Sequence, residues 1–201
     1  MPTEADSAES ETETMSFIGY EVLEESLPYT GRELRRGWIR DKTGMVGGGA
    51  AVAWVGPCRV DTEDLVDLDD AKNNAVIEAA LMAHVVVEHL GCTLQAAVLR
   101  QRLLVCILGE VLRERGVAVI RDGDDLYVDG RKLTVSIAAP SQGACLIHLG
   151  INVDPAGAPV PTVGLEELGV PPRELLETLL DRYREELATA AHAEIKVRSV
   201  P

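Results

Sequence analysis

Residues 123–153, GDDLYVDGRKLTVSIAAPSQGACLIHLGINV, hold the side chains whose types and spacing point most directly to chemistry. Asp124 and Asp125 precede a strand, Lys132 follows a turn at Asp129-Gly130, and His148 and Asn152 lie four apart, so on an extended strand both leave the same face. A fixed ammonium stabilises negative charge as it develops on a carboxylate or phosphate. Paired aspartates supply the oxygen ligands that Mg²⁺ accepts beside a triphosphate. The grouping suits a small anionic ligand, a carboxylate or a nucleotide. Each residue also has an ordinary use. Turns collect lysines and aspartates, and a histidine on a half-buried strand is more often a hydrogen-bonded structural group than a catalyst. Arg131 reads as a solvated neighbour of Lys132. Arg100 and Arg102, with Arg35 and Arg36, either supply a phosphate pocket or pair at the surface with this chain's surplus acids.

Antiparallel strands must position these groups. The Asp129-Gly130 turn separates Leu126 and Val128 from Leu133, Val135 and Ile137, a hairpin signal, and residues 140–143 make a second turn into a third strand that Asn152 closes. Residues 94–115 form the best helix, with Leu99, Leu103, Cys106, Ile107, Glu110 and Val111 on its stripe and Gly116 as its stop. Residues 75–90 also read as a helix ended by Gly91, and 117–120 as a strand. AAVAWV at 50–55 suits a strand buried on both faces. Thr30 is an N-cap with Glu33 three residues on, opening a short helix with Leu34, Trp38 and Ile39 inward and a basic outer face. Residues 60–70 are an acidic loop, 154–169 a proline- and glycine-rich connector, and 171–193 a last helix with Leu175, Leu179, Tyr183 and Leu187 on one face.

An acidic pair, a strand, a turn ending in Arg131-Lys132, a strand, a glycine-containing turn and a final Gly-Ile-Asn-Val resemble, over roughly a third of the chain, the catalytic core of biotin protein ligases, lipoate protein ligases and octanoyl transferases. Over a greater length, from YTGRELRRGW through VGPC, VEHL and LRQRLLV to GINV, the chain resembles an uncharacterised prokaryotic domain-of-unknown-function family, which supplies no activity. The ligase resemblance implies an α/β (α+β) fold: a mixed, largely antiparallel sheet covered mainly on one side by three or four helices, a class II synthetase-like core. It implies that Lys132 holds the carboxylate or phosphate oxygens of an acyl-adenylate, that Asp124 and Asp125 stand near ATP with Asp125 on Mg²⁺, and that Asn152 and His148 bind substrate; Arg100, from the basic cluster, is a further candidate for substrate binding. The implied function is an ATP-dependent ligase or acyltransferase for a small carboxylic acid. The alternative is a non-catalytic ligand-binding or interaction module on the same fold. The chain departs from the pattern in three places. The glycine that follows the lysine by three residues in those families is Val135 here; PVPTVGLEEL lacks the octanoyl transferases' cysteine; and no counterpart of the biotin ligases' glycine- and arginine-rich loop is evident.

A chain of 201 residues, 46% apolar and 26% charged, suits one domain at 15–201 behind an acidic tail at 1–14 whose five acids and lack of large apolar residues predict disorder. Without a signal pattern or an apolar run near about 18 residues, the expectation is a cytoplasmic protein away from membranes. Thirty-three acidic against 19 basic residues, net −14, argue against nucleic acid as a partner. Cys58, Cys92, Cys106 and Cys145 form no CxxC pair and read as free thiols. In HVVVEH, His84 and Glu88 would share a helical face, a weak hint of a metal-dependent hydrolase, but His89 fits neither HExxH nor HxxEH. The glycines 47–49 read as a flexible turn or a ligand loop. An edge strand could pair two copies as a homodimer.

Overall fold

Long apolar runs dictate the centre of the molecule. The computed structural model describes residues 18–200; the acidic segment 1–14 lies outside them. In chain order the elements are β1 (Ile18–Val22), α1 (Trp38–Thr43), β2 (Gly49–Val60), α2 (Leu68–Lys72), β3 (Ile77–Leu90), α3 (Leu94–Glu114), β4 (Ile120–Asp122), β5 (Asp125–Val128), β6 (Arg131–Lys132), β7 (Thr134–Ser141), β8 (Ala144–Asp154) and α4 (Pro172–Ile195). A five-stranded sheet runs β1-β2-β3-β8-β7, antiparallel except for the β1–β2 pair, and β4-β5-β6 form a smaller sheet. This is the mixed, largely antiparallel α+β architecture expected of the sequence. No helix among the described residues is long and apolar enough to cross a membrane.

Strands β2, β3 and β8 are buried on both faces. One face carries Ala51, Ala53, Ala83, Val85, Val87, Ile147 and Leu149 against α3 and α4. On the other, Val52, Trp54, Met82 and Val86 pack under Tyr29, Leu34, Trp38 and Ile39. Two long helices therefore cover one side, not three or four, because residues 75–90 form β3 and not a helix. Burial on both faces removes the alternation that marks a strand, and an apolar run of this kind fits either period. The β-branched run Val85-Val86-Val87 is the local feature that favours the extended form.

Helix α3 has the expected ends, and Thr93 Oγ1 caps it by accepting the Ala96 N–H at 3.2 Å. Its buried face overlaps the predicted stripe at Ile107 and Val111 but is centred elsewhere: Ala97, Gln101, Leu104, Val105, Leu108 and Leu112 are also buried, whereas Leu99 is 65% exposed. The stretch 103–108 is apolar nearly all round, so more than one three- and four-residue series threads it. Helix α4 buries Leu175, Leu179 and Tyr183 as expected. The Thr30 N–H donates to Glu33 at 2.7 Å, as a capping pair should, yet only α1 is helical beyond it, since Gly31 and Gly37 adopt φ of +90° and +77°. The strand expected at 117–120 starts at Ile120.

The predicted meander divides between two sheets. Asp129 and Gly130, both at positive φ (49° and 74°), make the type I′ turn of the β5–β6 hairpin. After Leu133 the chain crosses into β7 of the main sheet, so Leu133 joins the helix-side core while Val135 packs on the opposite face.

Gly56 is the position where the second cover presses hardest on the sheet. A Cβ there would lie 1.9 Å from the Leu27 carbonyl oxygen, which accepts the Trp54 indole N–H at 2.8 Å. Gly56→Ala is expected to destabilise the fold by about 1–3 kcal/mol through overpacking, with red-shifted tryptophan emission as the segment lifts from Trp54. Unchanged melting and emission would refute this packing.

Candidate functional site

The β5–β6 hairpin and the end of β8 bring four of the predicted residues together. Lys132 Nζ lies 2.7 Å from Asp125 Oδ2, with the two side chains 30% and 20% exposed. Burial pushes the Asp125 carboxyl above its ordinary range, and the Lys132 hydrogen bond and charge only partly oppose this. Asp124 turns to other partners: its Oδ2 accepts from Gln101 Nε2 at 2.8 Å, and Arg102 lies 3.4 Å from Oδ1. Ser136 Oγ donates to the Asp124 carbonyl at 3.0 Å and receives Gln101 Nε2 at 2.8 Å. Asn152 Nδ2 donates to the Lys132 carbonyl at 3.3 Å, and the Lys132 N–H donates to Pro161 O at 3.0 Å. The lysine's backbone is thus pinned from two sides while its ammonium meets Asp125. Asn152 acts on backbone here, a positioning contact. Gln101 and Ser136 escaped the sequence reading because each stands among other polar residues of its element, Arg100 and Arg102 beside the first and Thr134 and Ser141 on the strand of the second, with no local pattern to single it out.

His148 and Arg100 stand elsewhere. His148 shares its strand face with Asn152 as expected but is 3% exposed beneath Tyr29, their rings 3.8 Å apart and nearly parallel at 9°. His84 Nδ1 lies 3.2 Å from His148 Nε2, and His84 Nε2 lies 3.3 Å from the Gly56 carbonyl. A carbonyl only accepts, so His84 carries its proton on Nε2 and receives the His148 Nε2–H on Nδ1. Trp54 tilts against His84 at 5.0 Å and Trp38 against Trp54 at 5.3 Å, completing a buried aromatic row. Beside it lies a space of only about 50 Å³ lined by Tyr29, Leu34, Asp67, Val135 and His148. Arg100 lies on α3 with its Nη1 3.6 Å from Cys92 Sγ, at the opposite end of β8 from Asn152.

A larger cavity, about 430 Å³, sits at that opposite end and is lined by Arg36, Gly37, Arg40, Met45, Gly49 and Glu88. Glu88 is 8% exposed, and its Oε2 accepts the Gly37 N–H at 2.9 Å. Arg36 also donates to the Gln142 carbonyl in the β7–β8 turn. The glycines 47–49 bring the start of β2 to this cavity, and at Gly49 a Cβ would come within 3.2 Å of the Glu88 carbonyl and of Ile18. Glu88 and His84 do share a face, as a strand's two-residue period requires, but His84 is engaged by His148 and Gly56, so the two do not form a joint metal site. Among the described residues no three His, Cys, Asp or Glu side chains converge as metal ligands. Mg²⁺ is commonly held by one or two carboxylates together with the phosphates it accompanies, and Asp125 has one carboxylate oxygen outside its pair with Lys132. Leu146, which pairs with Glu88, and Asn152 are six residues apart on β8, so about 20 Å separates the cavity from the Lys132 corner.

The buried histidines set a pH dependence. Burial lowers His84 to about 4 and His89, on the helix side with its Nε2 3.1 Å from Tyr183 OH, to about 3, while His148 lies well below its ordinary value. The unfolded chain takes up protons below about pH 6.5, and the fold resists until its own lower values are reached. Stability should therefore be full above pH 7 and fall on acidification from about 6.5 towards 4, by up to about 1.4 kcal/mol per unit for each histidine. Urea titrations at several pH values are expected to show this slope and His89→Phe to flatten it. Stability that rises on acidification across that window would overturn the assignment.

Comparisons with known proteins extend the picture. Residues 18–198 match the family model described as a domain of unknown function, DUF366. An uncharacterised protein of Methanocaldococcus jannaschii, MJ0805, is 39% identical over 166 residues, 80% of this chain and 73% of that one. A protein of unknown function from Pyrococcus horikoshii superposes with a TM-score of 0.86 at 35% identity, covering 91% of this chain and all of the other. The biotin protein ligase of Aquifex aeolicus in complex with biotin and ATP aligns over 88% of this chain and 73% of its own with a TM-score of 0.54 at 19% identity, a likeness of fold. A sheet of this order, its helical cover and a sequence match across nearly all described residues make the chain a member of the DUF366 family, built on the fold of the biotin and lipoate protein ligases.

Proposed function

We propose that the chain activates a small carboxylic acid with ATP, as a cytoplasmic ligase or acyltransferase. The observation that carries this reading is the Lys132–Asp125 pair at 2.7 Å. The Lys132 ammonium stands partly exposed at the rim, paired with an Asp125 carboxylate whose anionic form burial disfavours. An incoming carboxylate or phosphate can take the place of that carboxylate. The acid's carboxylate oxygen attacks the α-phosphorus of ATP and pyrophosphate leaves; Lys132 stabilises the charge on the acyl phosphate, and Asn152 keeps the lysine's backbone in position. Asp125, with Asp124 beside it, would hold the Mg²⁺ that accompanies the triphosphate and screens its charge. An acceptor then attacks the acyl carbon and AMP departs.

A specific observation favours the second reading, a non-catalytic binding module. The ligand-sized cavity lies at the Arg36–Glu88 end, and the face between it and Lys132 is filled by Tyr29, His148, Met82 and Val135. In that case the guanidinium groups of Arg36 and Arg40 would hold an anion with Glu88 accepting from its donor groups.

Thermal shifts with ATP·Mg²⁺ and with biotin, lipoate and octanoate, singly and combined, together with ATP–pyrophosphate exchange, separate the two. The expected result is the largest stabilisation with nucleotide plus one acid, acid-dependent exchange, and a fall in exchange of about a hundredfold or more in Lys132→Ala with an unchanged circular dichroism spectrum. Exchange that survives Lys132→Ala would sink the ligase reading. Ligand stabilisation lost in Arg36→Ala and Glu88→Gln but kept in Lys132→Ala, without exchange, would establish the module.

A further inference from the structure

The four cysteines are not equivalent. Cys92 stands at the junction of β3 and α3, partly exposed, immediately before the Thr93 cap. Cys145 enters β8 opposite His89 and is 2% exposed. The Cys145 thiol donates to the Cys92 carbonyl at 3.1 Å, which sets its sulfur directly against residue 92. The Gly91 N–H donates to the Gly143 carbonyl at 3.0 Å, so backbone hydrogen bonds already hold the two segments together. Arg100, one face of α3 further along, places its guanidinium 3.6 Å from Cys92 Sγ.

These neighbours divide the labour expected of a peroxide-reactive pair. Cys92 is the accessible sulfur of the two, and the Arg100 guanidinium beside it can stabilise negative charge that develops on that sulfur as its proton leaves during attack. Burial keeps the other sulfur protonated at neutral pH, since it raises the Cys145 thiol. Cys106 is part-exposed on the same helix and Cys58 is buried; among the described residues neither sulfur accepts a hydrogen bond from a guanidinium, as that of Cys92 does.

We propose that Cys92 and Cys145 form a reversible disulfide on exposure to hydroperoxides, with Cys92 as the attacking thiolate, Cys145 as the resolving thiol and Arg100 as a positioning residue. The Cys92 thiolate attacks the distal peroxide oxygen, the O–O bond breaks, and the alkoxide or hydroxide released takes a proton, leaving Cys92 as a sulfenic acid. Cys145 sulfur then attacks the Cys92 sulfur, and its proton leaves with the sulfenic hydroxyl as water. The peroxide is reduced by two electrons and the two thiols are oxidised by two. The bridge tethers the start of α3 to the start of β8, where Ala144 pairs with Leu90 on the wall of the Glu88 cavity.

The test uses the full chain, fully reduced, treated with stoichiometric hydrogen peroxide, quenched by alkylation and mapped by non-reducing peptide mass spectrometry. The Cys92–Cys145 peptide pair should appear within one molecule and disappear with dithiothreitol. Cys145→Ser should instead accumulate a dimedone-reactive Cys92. Arg100→Gln should slow iodoacetamide labelling of Cys92 at pH 7 by about fivefold while leaving Cys106 unchanged. A persistent Cys92 sulfenic acid in the unmutated chain with Cys145 still free to alkylate, or cross-links only between molecules, would overturn the proposal. Equal labelling of Cys92 with and without Arg100 would remove Arg100 from it.

Discussion

Three adjacent strands buried on both faces are the constraint on which the rest of this molecule depends. β2, β3 and β8 carry apolar side chains in both directions, and leaving either face in water would forfeit on the order of 25 cal/mol for each Å² exposed. Helices α3 and α4 satisfy one face with aliphatic side chains. The other is covered by residues 27–45, mostly irregular chain. Irregular backbone brings polar groups with it, and these must find partners inside. Trp54 to Leu27 and Gly37 to Glu88 are those partnerships, and His84 meets the Gly56 carbonyl where the β2–β3 register shifts. The polar side chains under the second cover are thus accounted for by folding before any ligand is invoked.

That accounting changes how the candidate residues rank. His84 and His148 are a neutral, hydrogen-bonded pair inside an aromatic row, and their burial makes them poor proton acceptors near neutral pH. Glu88 differs from them: a nearly buried carboxylate that receives one backbone N–H and borders a cavity of ligand size, within reach of arginine-bearing chain. Lys132 and Asp125 differ again, a partly buried ion pair on the smaller sheet at the rim. The two ends of β8 therefore offer two kinds of polar environment, a cavity bordered by a buried carboxylate and a partly exposed ion pair.

How far this was legible in the sequence follows from whether each signal was local. The Asp129-Gly130 turn, the β2 run, the inner face of α4 and the shared face of His148 and Asn152 depend on neighbours within a few residues, and they stand where the residues said. β3 did not, because a strand buried on both sides carries no alternation to distinguish it from a core helix. The inward face of α3 was misplaced for the same reason: where nearly everything is apolar, tertiary contacts choose the face. The Glu88 cavity was invisible because its carboxylate is held by an N–H 51 residues earlier in the chain. Lys132, Asp124, Asp125 and Asn152 were found as a group through their spacing, whereas Arg100 was assigned to that group and lies at the far end of β8.

The position that most separates this chain from the ligase pattern is resolved by looking across the strand. Val135 replaces the glycine expected three residues after Lys132, and its partner on β8 is Gly150. The facing glycine does not open a space beside Val135, since Met82 sulfur lies 2.3 Å and Val135 Cγ1 3.2 Å from where a Gly150 Cβ would be. Gly150 is a glycine here because Met82 lies over it. An unbranched thioether is the most readily re-packed of apolar side chains, whereas Val135 is stiff at χ1. Any ligand lying along this face must therefore displace Met82 and pass beside a fixed Val135, which confines a long acyl-adenylate far more than it confines a small anion bound at either end of β8.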